Sequence, residues 1–321
     1  MYNRRNFLKQ SGAAAIGSMF LANKAGAAFF ESKKQHAVGV QLFTFFTTID
    51  KDVPGTLKAI AGVGYKEVES AFSMKGGFYG MSSKEFAQVA KDSGVKWASH
   101  HVIGAPFKMP ARPANPAPVA NPKDTAGRAA MMAAIAKMPP MLNLKDNYQQ
   151  VVDEVAAGGL KYLVCASIPL STGDEIKQAV DILSKAGEAA KKAGLTLCYH
   201  NHTHEFEMVE GQKPYDVLLT QVSSDLLKFE LDLGWATAAG VNPVDLFKAN
   251  PGRFPLWHVK DISADKKQPV EVGTGIVDFK PIFAAAKTAG MQHFFVEQDG
   301  APKPIENITT SYNNIVTKIL K

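Results

Sequence analysis

Cysteine is almost absent: the 321 residues contain only Cys165 and Cys198. Both lie inside apolar, strand-like runs, LKYLVCASI and LTLCYHN, which predicts two buried thiols and excludes a disulfide framework. Charge of one sign is also scarce where it would matter. The formal net charge is +6, but Arg4, Arg5, Lys9 and Lys24 all fall within the first 27 residues, and the remainder carries 32 basic against 30 acidic residues. A body so nearly neutral, with no basic stripe, excludes nucleic acid as the expected partner. No GxGxxG follows the first strand-like segment and there is no P-loop, which argues against a dinucleotide- or nucleotide-binding fold. Long apolar runs are missing too. The N-terminal stretch SGAAAIGSMFLA (11–22) is too short and too mild to span a bilayer.

That stretch has another reading. NRRNFLK (3–9) pairs two arginines ahead of it, and Ala25-Gly26-Ala27 supplies small residues for cleavage. Residues 1–27 are therefore expected to be a twin-arginine export signal, removed to leave a periplasmic protein without a membrane anchor. Residues 28–321, with 46% of the whole chain hydrophobic, suffice for one large core.

Past the signal a strand-then-helix rhythm runs to the end. Strands are expected near 38–43, 66–70, 95–101, 160–166, 195–200, 228–232, 255–260 and 293–297. Amphipathic helical patterns lie between them, such as TLKAIAGVG (56–64), SSKEFAQVAKDSG (82–94) and DEIKQAVDILSKAGEAAKKAG (174–194). Several end in a glycine suited to a left-handed cap. Eight strands alternating with helices predict an α/β fold, a single (β/α)8 TIM barrel. One interval breaks the rhythm. Residues 102–144 include the Pro-, Ala- and Asn-rich APFKMPARPANPAPVANPKDTAG, expected to be a lid-like insertion after strand 3, with 127–138 as a short helix over the site.

Four late strands end in metal-ligand residue types: YHNHTHEF, FELDLGW, LWHVKD and FFVEQD. A closed parallel barrel brings strand C-termini together on one face, where such barrels carry their sites. His200, Asp232, His258 and Glu297 would converge there. Two imidazoles and two carboxylates suit one divalent ion, Mn, Co, Mg or Zn. Any one of the four alone reads as a helix cap or a satisfied polar residue; their repetition at successive strand ends points to a metal site.

With these blocks the chain resembles the xylose isomerase-like TIM-barrel superfamily, in particular the exported sugar phosphate isomerase/epimerase branch. The resemblance runs through VGVQLFTF, GTLKAIAGVGYKEVES, YHNHTHEF, DLGWATAAGVNPVDLFKANPGRFPLWHVKD and FFVEQD. It implies one divalent metal held by Glu, Asp, His and Glu from four late strands. The last three correspond to Asp232, His258 and Glu297; at the first this chain reads HNH instead of ENH. Either His200 ligates directly or Glu205 swings back to supply the carboxylate.

Such a site would act on a sugar or glycoside carrying a carbonyl. The cation binds vicinal oxygens, a base removes the proton on the carbon beside the carbonyl, and the resulting enediolate is stabilised. Glu205 is expected as the base, His202 as acid or base, and Lys260 as an oxyanion partner. Gln41, Glu69, His100 and His101 on earlier strands, with Trp235 and Phe107 as stacking surfaces, are expected to contact substrate. Isomerisation, epimerisation and β-elimination on a 3-keto-glycoside all share this first step, and export favours free sugars or glycosides over sugar phosphates. Two other classes fit less well. A nuclease of the same superfamily would need further histidines, yet Trp235 stands where a DxxH motif would place one. A non-catalytic sugar-binding barrel would have no need of the full ionisable set.

Overall fold

Short runs of aliphatic, aromatic and β-branched residues form the strands, and most are buried on both faces, as parallel strands covered by helices must be. In the computed structural model, which describes residues 37–106 and 141–321, these are β1 (Val38–Gln41), β2 (Glu67–Ser70), β3 (Lys96–Ile103), β4 (Tyr162–Ser167), β5 (Thr196–His200), β6 (Lys228–Asp232) and β7 (Leu256–Val259). A two-stranded antiparallel ribbon, β8 (Asp261–Ile262) with β9 (Pro269–Val270), precedes the last barrel strand, β10 (His293–Val296). β1 through β7 and β10 pair in parallel and close with β10 against β1. This is the expected (β/α)8 barrel. The export signal read at 1–27 and residues 107–140 of the expected insertion lie outside the described residues.

The helices carry the signals that start and stop them. Ser82 and Glu85 form a reciprocal capping box at the head of α2 (Ser83–Asp92), which follows α1 (Val53–Val63). α3 (Leu144–Ala157) is capped by Asn143. α4 (Gly173–Lys192) is capped by Thr172, opens with Asp174 and Glu175 and closes with Lys191 and Lys192, charges that complement the helix dipole. Gly94 and Gly194, at φ of 86° and 77°, make the left-handed turns that return the chain to β3 and β5.

Ala98, Val164, Cys198, Leu256 and Phe295 pack together, and side chains from β3, β4, β5, β7 and β10 can meet only inside the barrel. They form its apolar floor; both cysteines are buried, free thiols, as expected. Above the floor the interior turns polar.

One irregularity decides what lines that polar layer. The β2–β3 register pairs Val68 with Trp97 and then Glu69 with Ser99, leaving Ala98 as an extra residue. Such a bulge reverses the in–out alternation beyond it. Ser99 and His101 thereby face Glu69, while His100 packs against Phe78, with Trp97 beyond it.

Candidate metal centre at the barrel mouth

Strand register sets the heights of the site residues. His200 is level with Glu230, and Asp232 with His258; Glu297 follows the end of β10. Donor atoms of His200, Asp232, His258 and Glu297, all buried, lie within 4.8 Å of one another. His258 Nδ1 is 2.8 Å from Glu297 Oε2 and 3.9 Å from Asp232 Oδ2, and His200 Nε2 is 3.9 Å from Asp232 Oδ2. The structure thus gathers His200, rather than Glu205, with the other three.

The opposite edges of the two imidazoles face inward. His258 Nε2 lies 2.6 Å from Glu69 Oε1 and 3.2 Å from Glu230 Oε2, and His200 Nδ1 lies 3.1 Å from Glu230 Oε2. A histidine held by a carboxylate on one nitrogen presents the other to a metal in a fixed orientation. His101 ties the two inner carboxylates together, with Nε2 at 2.7 Å from Glu230 and 3.1 Å from Glu69. Gln41 Nε2 donates to Glu69 Oε1 at 2.7 Å and Ser99 donates to Glu69 Oε2. Gln41 and Glu69 are completely buried beneath the site. Glu69 holds His258 and His101 directly and Gln41 acts through Glu69, a placement different from the expected contact with substrate hydroxyls. His100 is also revised: it bonds the Ser70 hydroxyl at 2.7 Å, and burial, with His101 nearby, pushes it down to about 3, so it is neutral.

Around the outer rim, Lys260 Nζ stands 2.9 Å from Asp232 Oδ2, 2.8 Å from Glu297 Oε2 and 2.6 Å from Asp299 Oδ2. Burial disfavours the ammonium, but Asp232, Asp299 and Glu297 outweigh it and hold Lys260 well above its ordinary value. The ring of Trp235 lies 4.9 Å from Nζ, and its backbone N–H caps Asp232 Oδ1 at 2.8 Å. Gly234 of DLGW is required here, since a Cβ would meet the Lys260 carbonyl at 2.9 Å. Asp261, next along HVKD, does not pair with Lys260. Its carboxylate accepts the backbone N–H groups of Ile262, Gly273, Gly275 and Val277 at 2.8–3.0 Å and pins the loop after the ribbon.

Glu205 occupies a different place from that expected of a base. Its Oε1 accepts the Tyr199 hydroxyl at 2.9 Å and its Oε2 the backbone N–H of His202 at 2.8 Å. Burial would raise its carboxyl, but bonds and charge from His202 and His204 bring it below the ordinary range. The anchored carboxylate is a poor proton acceptor, which revises the base assignment. A cavity at the mouth is lined by Phe43, Phe72, His101, His202, Glu297 and Asp299 among others. Glu230 and Asp299 were not among the expected site residues. Each sits two residues from one that was: Glu230 alternates with Asp232 along β6, and Asp299 lies in the turn two residues after Glu297.

The donor set fits a divalent ion. Asp232 Oδ2 is buried without an aligned hydrogen bond, although Lys260 is close, and burial together with His258 and His101 keeps His200 well below its ordinary value, neutral and able to ligate.

In metal-free protein the inner network makes a pH prediction. Burial opposes the His101 charge, but Glu69 and Glu230 push it from 6.5 up to about 9. Its contribution to stability is complete below pH 6.5 and is lost as pH rises through about 9. Glu230, pushed from 4.5 up to about 7 by burial and Glu69, acts in the same direction over a lower range. The His101 contribution is on the order of 3 kcal/mol. Chelated protein should therefore melt several degrees lower at pH 9 than at pH 6.5, with a shallower slope in His101→Gln. A flat or rising profile would contradict the ionised pairing.

Comparison with known proteins places this geometry. The sequence profile of the xylose isomerase-like TIM barrel family matches residues 57–311. Inosose dehydratase of Lacticaseibacillus casei is 26% identical over 153 residues, 41% of this chain and 51% of that protein. The enzyme of the same name from Geobacillus thermodenitrificans is 24% identical over 153 residues, with the same coverage. The chain spans about half the length of the curated relatives it matches. Among solved structures, a sugar phosphate isomerase/epimerase from Parabacteroides distasonis superposes with a TM-score of 0.68 at 23% identity, covering 91% of this chain and 97% of that one. The IolI protein with a bound zinc atom gives 0.60 at 17% identity, covering 88% and 99%. At these identities the structural likeness speaks for the fold, whereas the profile match extends over most of the chain. The chain belongs to the xylose isomerase-like TIM barrel family.

Proposed function

We propose that this chain is a divalent-metal-dependent enzyme that removes a proton beside the carbonyl of a keto-sugar, 3-keto-glycoside or cyclic polyol ketone. The observation that carries the reading is the buried meeting of His200, Asp232, His258 and Glu297 at four successive strand ends. These four would hold the ion, His200 taking the place at which the family resemblance implies glutamate. When bound, the ion supplies Lewis-acid stabilisation of charge developing on the substrate's oxygens.

Asp299 is the base in this reading. Its side chain is 31% exposed and lines the mouth cavity, while Lys260 fixes it from behind. Phe43 and Phe72, with ring centres 5.6 Å apart, wall the same cavity and suit the apolar face of a sugar ring. His202 also lines it and is placed to donate a proton. Isomerisation and epimerisation would return the proton to a carbon. Elimination would have Asp299 take the α-proton and His202 protonate the departing β-hydroxyl, releasing water. The inosose dehydratase relatives favour elimination, since a dehydratase is named for the removal of water.

A mass-spectrometric screen tests the reading: purified protein with Mn2+, Co2+, Mg2+ or Zn2+ against free, phosphorylated and 3-keto sugars and inososes. Conversion of a ketone substrate that stops on chelation is expected. Full turnover after chelation, with no metal detectable, would overturn it.

A further inference from the structure

The turn after β5 repeats histidine at alternate positions, His200, His202 and His204, and ends in Glu205. Only the first belongs to the inner cluster. The ring of His202 lies 5.1 Å from that of His200, and the rings of His202 and His204 stack at 5.9 Å. Glu205 Oε1 is 3.3 Å from His204 Nε2 and 3.9 Å from His202 Nδ1, and the three donor atoms fall within 4.8 Å of one another.

Two features of this turn call for a cation. Glu205 is fully buried, and among the described residues no lysine or arginine pairs with it; its ion-pair partners are the two histidines. A cation there would add to the Tyr199 hydroxyl and His202 N–H that already hold this desolvated carboxylate. His202 Nδ1 is buried without a hydrogen-bond partner and is too far from Glu205 to make one. Ligands about 2.1 Å from a zinc-sized ion in a tetrahedral arrangement stand roughly 3.4 Å apart. The observed separations approach that spacing, and the Tyr199 hydroxyl on Glu205 Oε1 supplies the outer bond that orients a ligating carboxylate.

We propose that His202 Nδ1, His204 Nε2 and Glu205 Oε1 form a second divalent-cation site, outside and independent of the inner cluster. Two imidazoles and one carboxylate suit a borderline ion such as Zn2+ or Co2+, and three protein ligands leave positions open. His204 and His202 line neighbouring cavities at the barrel mouth, so a ligand in either has access to those positions. Binding through Nδ1 would keep the His202 ring neutral, so a cation here would compete with the proton-donating role above.

Cobalt titration of tag-free, metal-stripped protein tests this, by equilibrium dialysis with elemental analysis. His204 is half exposed, so His204→Ala should fold as the parent does; if it does not, His204→Gln is read in its place. The variant should bind one Co2+ per chain fewer than the parent, whereas Asp232→Asn should lose the other ion and keep this one. If folded His204→Ala or His204→Gln binds as many ions as the parent with the same affinity, the outer site is refuted. Failure of the inner site instead appears as unchanged stoichiometry in Asp232→Asn.

Discussion

Asp232→Asn should retain the fold, lose the inner metal and fall in activity by about 10³-fold or more. The substitution is chosen because asparagine also serves as a helix cap, so the Trp235 N–H on Oδ1 keeps its acceptor. What disappears is the anionic Oδ2, which faces His200, His258 and Lys260. A Lewis acid contributes several kcal/mol to stabilising developing charge, and each 1.36 kcal/mol is tenfold in rate, which sets the magnitude. Metal content and turnover should fall together. Wild-type metal content with lost turnover would assign Asp232 to proton transfer instead of ligation.

Glu69→Gln should cost about 3–5 kcal/mol of stability in metal-free protein, the range for removing one partner of a buried ion pair. Glu69 is wholly buried and takes His101, His258, Gln41 and Ser99 on its two oxygens. Both histidines are pushed well towards the charged form despite burial, His258 by Glu230 and Glu297 and His101 by Glu69 and Glu230. A neutral amide of the same shape leaves that charge under-compensated without opening a cavity. Denaturant unfolding of the chelated protein measures the loss. A change below about 1 kcal/mol would mean that the histidines are neutral and the network is held by ordinary hydrogen bonds.

The strand ends were legible in the sequence because a parallel barrel needs short apolar runs and puts its polar residues at their C-termini. HNH, DLGW, HVKD and EQD therefore located four donors that the fold brings within reach of one another. Glu230 was hidden between the apolar Phe229 and Leu231, although it alternates with Asp232 in the same phase. Asp299 lies in the turn beyond β10, where strand periodicity gives no orientation. The choice between His100 and His101 was not legible at all, because a single extra residue at Ala98 decides it and nothing local marks that bulge. Gln41 and Glu69 were correctly placed at strand ends, but their depth depends on how eight strands tilt and close. Glu205 was read from its position in the turn; its tether to Tyr199 belongs to side-chain packing.

The most direct measurement is solvent deuterium uptake at the carbon beside a ketone, followed by mass spectrometry in D2O with metal-loaded and chelated protein. Incorporation is expected by the loaded enzyme at a ketone substrate it converts, with little after chelation and strong reduction in Asp299→Asn. Conversion of such a substrate with no deuterium entering that carbon or its product would contradict proton abstraction as the chemistry of this site.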